Sequence, residues 1–292
     1  MSIGIIGGSG LYDWDALTDP QWLTVDTPWG APSDQLLRGS LANRTVHFLP
    51  RHGRGHVWLP SEINHRANLF ALKQAGVDAV VSVSAVGSLH EHIKPRDVLT
   101  PDQYFDRTRQ SHRHTFFGNG FAAHVSLADP VCPYLHRALG QAAMDVQRAD
   151  SAFQDRQVHR AGTYVNMEGP AFSTRAESEF YRGKGFAVIG MTSMPEARLA
   201  REAELPYASL ALITDYDCWH QTEGHVTADL VAGHVAANKT FAQAILARLI
   251  ADLPKHFDSP ARTALTAAVM TAPDQIPAAT RARIPWWSPD AG

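Results

Sequence analysis

Residues 78–83, DAVVSV, place apolar side chains one after another, without the alternation that marks a strand with one wet face. A strand of that kind belongs to a sheet covered on both sides, and such sheets are built mainly from parallel strands with helices above and below. The rest of the chain reads the same way. Strands are expected at 2–6, 159–165, 187–191 and 207–213, and helices at 133–146, 175–183, 195–204 and 226–253. The helix at 195–204 starts on a proline, and the last carries Val231, Val235, Phe241, Ile245, Leu246 and Leu249 on one face. A hairpin is expected from 35–37 and 45–49, and a helix at 62–75, capped by Ser61 and stopped at Gly76. This order predicts an α/β fold with a twisted mixed central sheet flanked by helices.

Residues 102–129 lose the periodicity and read as a long loop, while 259–271 reads as a final helix before an irregular, proline-rich end around Trp286 and Trp287. No repeat or linker divides the chain. The expected organisation is one domain at 1–258, with 259–292 a C-terminal helix and tail packing on it.

A formal net charge of −3, with 19% charged residues, argues against nucleic acid as a partner, because backbone binding needs clustered Lys and Arg. Cys132 and Cys218 lie far apart without a CxxC spacing, so neither a zinc ribbon nor a disulfide scaffold is indicated, and a reducing cytoplasm is the expected setting. No signal peptide is read at MSIGIIGGSG and no run of about 18 apolar residues offers a membrane span. The fifteen histidines raise the question of a metal, but His90-Glu91-His92 and His112-Arg113-His114 lack the HExxH spacing of a zinc helix, and no metal is expected. A dinucleotide fingerprint fails at the glycine-rich turn 7–10, where Asp13 stands in place of the third glycine. A serine-hydrolase elbow fails there too, with Leu11 where GxSxG needs glycine.

What remains is polar chemistry at strand ends, where an open α/β sheet presents its ligands. The turn 7–10 and the small-residue stretch 84–88, SAVGS, each suit a phosphate-sized anion or a simple tight turn. Arg51, in RHGRGH, is either a bidentate clamp on an anion or part of a solvated basic turn. Asp215 and Asp217, in TDYDCW, would point to one side if the strand from Ile213 continued through them. They would then form an acid pair in which a dry pocket keeps one member protonated; otherwise one caps a helix and the other is solvated.

Taken in order, GIIGGSGLYD, RHGRGH, PSEINHRANLFALK, SAVGSL, MEGPAFSTRAE, GMTSMPEARLAREA and TDYDCW resemble the 5′-methylthioadenosine phosphorylases, the trimeric branch of the purine nucleoside phosphorylase family. The resemblance runs from Gly4 to about Leu253. It implies that Ser9, Arg51, His52, Ser84, Ala85 (by its backbone) and Thr192 hold phosphate. It implies further that Phe172 packs on the purine, Met191 meets the ribose hydroxyls, Asp215 stands near N7 and Asp217 near the exocyclic amine. His124 would reach into a neighbouring subunit's pocket, so that homotrimer sites are shared, and Leu265 is the candidate for covering the nucleoside.

Val226 and Ala228 would form an apolar pocket for a methylthio group, where relatives that accept a 5′-hydroxyl carry histidine; His225 lies one helical turn away from that role. Ala171 stands where many members have a longer polar or basic residue, and Gly190 where many have asparagine. The function so implied is phosphorolysis of 5′-methylthioadenosine, in purine and methionine salvage, with inorganic phosphate as co-substrate and no cofactor. The rival within the class is a phosphorylase preferring 6-oxopurines such as 5′-methylthioinosine or inosine, because relatives of that kind carry asparagine at the position of Asp215. Outside the class stand a non-catalytic nucleoside-binding protein and a dinucleotide-dependent oxidoreductase.

Overall fold

A computed structural model describes residues 1–8, 11, 13–220 and 228–289; the side chains of Ser111 and of residues 228–237 also fall outside that description. The strands and helices are, in order, β1 (Ile3–Gly7), β2 (Thr18–Leu23), β3 (Leu36–Leu41), β4 (Arg44–Pro50), α1 (His65–Gln74), β5 (Ala79–Ser88), β6 (Val98–Leu99), β7 (Gln103–Asp106), α2 (Pro133–Ala149), β8 (Val158–His159), β9 (Thr163–Asn166), α3 (Arg175–Gly183), β10 (Val188–Gly190), α4 (Ser193–Glu202), β11 (Tyr207–Asp215), α5 (Ala228–Asp252) and α6 (Ala278–Arg281). The eleven strands form one mixed sheet, with the order β2-β3-β4-β1-β5-β10-β9-β7 and a branch through β11 to β6 and β8.

β5 is the centre of this sheet. It pairs in parallel with β1 on one side and with β11 on the other, and its last residues pair antiparallel with β10. Successive residues of β5 serve opposite faces. Val81 and Val83 join Ile3, Ile5, Leu210 and Leu212 against α2 and α5, through Leu135, Leu139, Phe241, Ile245 and Leu249. Val80 joins Ile6 and Tyr207 against α1 and α4, through Leu69, Leu72, Ala197 and Ala200. Burial on both faces is why the sequence of β5 does not alternate.

The structure corrects several local expectations. α1 starts at His65, not at residue 62, because Asn64 rather than Ser61 caps it: Ala67 N–H donates to Asn64 Oδ1 at 3.2 Å. The strand expected at 159–165 is split into β8 and β9 at Gly162, whose φ of +151° breaks the extended run. The long loop 102–129 contains β7, an edge strand paired with β9. β2, rich in polar side chains and holding Pro20, gave no strand signal and also lies at an edge. Residues 259–271 form no α-helix; they hold only a single short turn of 3₁₀ helix, Pro260–Thr263, with the tail docked by side chains instead. Trp286 packs on Phe70 and Phe116, and Trp287 on Phe121.

Candidate active site

The carboxyl ends of β1, β5 and β11 lie at one edge of the sheet, because these strands are parallel neighbours. Ala85 is the one exposed residue in a strand whose other nine residues are buried, so a cleft reaches the sheet at that point. Beside it, β10 arrives from the opposite direction, with Val188 opposite Ser88 and Ile189 opposite Gly87, and the chain leaving Gly190 turns into α4 close to Ser84. This places the N-terminus of α4, with its free N–H groups and partial positive charge, at the cleft.

The α4 end is built in a particular way. Thr192 occupies the cap position but its side chain makes no capping hydrogen bond. Asn166, at the end of β9, takes that role from across the sheet, accepting from Met194 N–H at 2.9 Å. The Thr192 hydroxyl is therefore not spent on capping α4. Ser84 Oγ is buried without a hydrogen-bond partner among the described residues, and a polar group left so costs about 1–3 kcal/mol unless something bonds it.

Arg51 is neither solvated nor turned outward. It is 2% exposed; its Nε donates to Glu196 Oε1 at 2.5 Å, Nη1 to Val83 O at 2.8 Å and Nη2 to Ser82 Oγ at 2.6 Å. Arg51, expected to hold phosphate, is thus buried against β5, with its charge paired to Glu196 in the first turn of α4. His52 is half-buried, and its Nδ1–H donates to Trp58 O at 2.8 Å, which leaves Nε2 available. Burial, with Arg51 next to it, drops the imidazole to about 4, so it is neutral at physiological pH. A neutral Nε2 accepts a hydrogen bond, as from a protonated phosphate oxygen.

The acid pair lies further along β5. The two carboxylates do not meet by strand alternation, as their spacing suggested. A register shift in β11 between Ile213 and Asp215 re-aims the strand end, and Asp217 sits in a 3₁₀ turn, Asp217–Trp219, with φ of +52°. Asp217 N–H then donates to Asp215 Oδ1 at 2.8 Å, and Thr214 Oγ1 to Asp215 Oδ2 at 2.7 Å. Both aspartates are buried. Burial pushes the Asp217 carboxyl up, against the Ser178 hydroxyl that favours its charge, and its Oδ2 has no partner among the described residues. Gly87 allows this closeness: a Cβ there would come within 2.9 Å of Asp215 Oδ1 and 3.3 Å of Asp217 Cβ.

The turn is anchored by Trp219, whose Nε1–H donates to Ser88 O at 2.8 Å, and by Cys218 Sγ–H donating to Ser173 O at 3.3 Å. The second bond ties the turn to the segment that carries Phe172, which is 49% exposed. A large aromatic face left in solvent beside two buried acids is suited to stack on a planar ligand. Met191 lies against Gly169 of the same segment, with Sδ 2.6 Å from where a Cβ would stand.

Ser9, His225 and Val226 fall outside the described residues, and Ala228 begins α5 with its side chain undescribed. His124 lies elsewhere. It lines a cavity of about 650 Å³ with Asp102, Gln103, Arg201 and Thr263, and that lining includes none of the residues expected to hold phosphate or to form the acid pair. Leu265 was expected to cover the nucleoside, but it is buried in its own chain, with its N–H held by Glu204 Oε1 at 3.0 Å. Gly87, Thr214, Asn166 and Ser193 were not singled out from sequence. A glycine and a serine inside strand-end motifs were the available signals; the roles of Asn166 and Thr214 depend on contacts across the sheet that no spacing reveals.

The chain belongs to the phosphorylase superfamily, whose model matches residues 2–251. It is 52% identical to the S-methyl-5′-thioadenosine phosphorylase of Synechocystis sp., over 95% of this chain and 84% of that protein. To the enzyme of the same name from Geobacter sulfurreducens it is 47% identical, over 97% of this chain and 96% of that protein. Among solved structures, a methylthioadenosine phosphorylase sourced from an Antarctic soil metagenomic library superposes with a TM-score of 0.89 at 48% identity, covering 98% of each chain. Methylthioadenosine phosphorylase from Schistosoma mansoni, in complex with adenine, gives 0.80 at 37% identity over 86% of this chain and 91% of that one.

Proposed function

We propose that this protein is a pentosyltransferase that cleaves 5′-methylthioadenosine with inorganic phosphate, releasing adenine and 5-methylthioribose 1-phosphate. The observation that carries the site assignment is the layout of β5: free donors and the cleft at Ser84 and Ala85, the acid pair packed on Gly87. Three residues along a strand span about 10 Å, the reach from an anion beneath a sugar to the base on its far side.

Phosphate, held by Ser84, Thr192, His52, the Ala85 backbone and Ser9, attacks C1′ through one oxygen while the C1′–N9 bond breaks. The bonding pair leaves with the adenine, whose N7 takes a proton from the side of Asp215 and Asp217. Such differential stabilisation of the separated charges is what accelerates the step. Asp217, with its raised pKa and unpartnered oxygen, holds the proton of the pair, and Asp215, aligned by Thr214, faces the base. Phe172 stacks on the adenine, Met191 meets the ribose, and Val226 and Ala228 line the 5′ pocket. The reaction needs no metal or cofactor. We further propose a cytoplasmic homotrimer in which His124 completes the neighbouring site, a reading supported by its place in a cavity whose lining holds none of the other residues assigned to phosphate or base.

The test is base release from 5′-methylthioadenosine with and without phosphate, beside 5′-methylthioinosine, adenosine and inosine. Phosphate-dependent release of adenine, fastest from 5′-methylthioadenosine, is the expected result. A lead for inosine or 5′-methylthioinosine would overturn the base assignment, and release without phosphate would make the protein a hydrolase. Asp215→Asn should lose adenine release by about 10²- to 10⁴-fold.

A further inference from the structure

Three hydroxyls meet behind the proposed anion site. Tyr164, in β9, is fully buried, and its phenol faces the hydroxyls of Ser84 and Ser193. The phenol is close enough to interact with both serine hydroxyls, yet among the described residues none of the three buried oxygens closes a hydrogen bond of ordinary geometry. The phenol reaches this place because residue 190 has no side chain: a Cβ on Gly190 would stand 1.9 Å from Tyr164 Oη and 2.6 Å from Cζ. The space a side chain at residue 190 would take is given to a tyrosine from the neighbouring strand.

Ring packing alone does not account for this arrangement. Tyr104 already packs against the Tyr164 ring at 5.6 Å, and a phenylalanine would fill the same volume without an orphan hydroxyl. A buried phenol without a partner is unfavourable, and here it stands directly behind Ser84 and the first residue of α4.

We infer that Tyr164 is a positioning residue for the phosphate co-substrate: its hydroxyl donates to Ser84 Oγ, so that the Ser84 proton points into the cleft and donates to a phosphate oxygen. Serine has one proton and two lone pairs, so a donor behind it fixes which way the proton faces. Burial pushes the Tyr164 phenol upward, which keeps it protonated and able to donate. Ser193 O–H completes the chain by donating to Tyr164 Oη. The hydroxyl network is then satisfied when an anion accepts from Ser84, and chains of this kind strengthen one another in a dry site. The inference rests on the phosphorolytic reading and on phosphate binding at Ser84.

The experiment is Tyr164→Phe, assayed for KM toward phosphate and toward 5′-methylthioadenosine separately, with binding of inorganic phosphate followed by calorimetry in the absence of nucleoside. The expected result is a rise of about 5- to 30-fold in the phosphate KM and Kd, an unchanged nucleoside KM, and a phosphate-free Tm equal to or above that of the unmutated protein. In a Ser84→Ala background the same substitution should add nothing, because the tyrosine acts through that serine. Gly190→Ala, which must displace the phenol, should reproduce the phosphate-selective defect. Unchanged phosphate affinity in Tyr164→Phe, an equal rise for both substrates, or additivity with Ser84→Ala would each overturn the inference. Failure of the underlying reading would show differently, as phosphate-independent base release by the unmutated protein.

Discussion

At the residue scale, the acid pair is defined by a carboxylate that has its hydrogen bonds and one that lacks them. Asp215 accepts from Thr214 and from Asp217 N–H, whereas Asp217 keeps a buried, unpartnered oxygen and a raised pKa. A raised carboxyl is protonated below its pKa, so the rate of base release should fall as pH rises through it. Asp217→Asn should flatten that limb of the profile and lower kcat by about 10- to 100-fold; an unchanged alkaline limb would remove Asp217 as the proton holder. Gly87→Ala tests the same pair by packing. Its Cβ would press on Asp215 Oδ1, and kcat should fall while the phosphate KM stays within about twofold, because the disturbance lies beyond the anion end of β5.

At the element scale, three histidines in loops and helix starts are kept neutral by burial. His52 and His114 are each lowered to about 4, and His65 well below its usual value, burial being the main cause in every case. The unfolded chain takes up these protons near 6.5 and the folded one does not, so folding stability should drop as pH falls from about 6.5 to about 4. Glu202, at the end of α4, works the other way. Burial raises it to about 7 although Phe116 N–H and Thr115 Oγ1 bond it. Its contribution is complete below the unfolded value of 4.5 and lost as pH rises through about 7. Denaturant midpoints across pH should therefore peak close to neutrality, and Glu202→Gln should gain relative to the parent at pH about 8 compared with about 5. A parent-to-variant difference that is flat with pH would refute the second statement.

The same scale shows what the sequence made legible. Continuous apolar runs at β1, β5 and β11 were plain because burial on both faces removes alternation. β2 was hidden because an edge strand tolerates Pro20 and polar side chains, and β7 because four residues are too few to show a period. The final helix was wrongly expected because 259–271 has helix-favouring alanines, whereas its placement is decided by tryptophans further on. In the site, Ser84, Thr192, Asp215 and Asp217 could be named because they stand in polar motifs at or near strand ends. Only Asp215 closes a strand; Ser84 lies within β5, and Thr192 and Asp217 lie in the turns after β10 and β11. The inward turn of Arg51 could not be foreseen: Glu196, its partner, lies 145 residues away.

At the scale of the whole molecule, the tail is a structural part of the fold. Trp286 covers Phe70 and Phe116 and its Nε1–H donates to Glu202 O at 2.9 Å. Trp286→Ala should lower stability by about 2–3 kcal/mol, somewhat less than for a fully buried aromatic, as read from urea unfolding. A change below about 0.5 kcal/mol would show the tail to be dispensable. The proposed trimer is checked by sedimentation: a mass three times that of one chain is expected, with His124→Ala leaving the mass unchanged while raising the nucleoside KM.

β5 holds the phosphate end of the proposed site at Ser84 and Ala85 and seats the acid pair against Gly87, whereas the residues assigned to the 5′ group, Val226 and Ala228, come from a separate stretch of chain. Bond breaking and substrate choice are thus encoded in different places. Mutational drift around the 5′ pocket can broaden or narrow the range of nucleosides without moving a sheet residue, while any change that shifts β5 disturbs both halves of the chemistry at once. A lineage built on this plan is free to change its diet long before it can change its reaction.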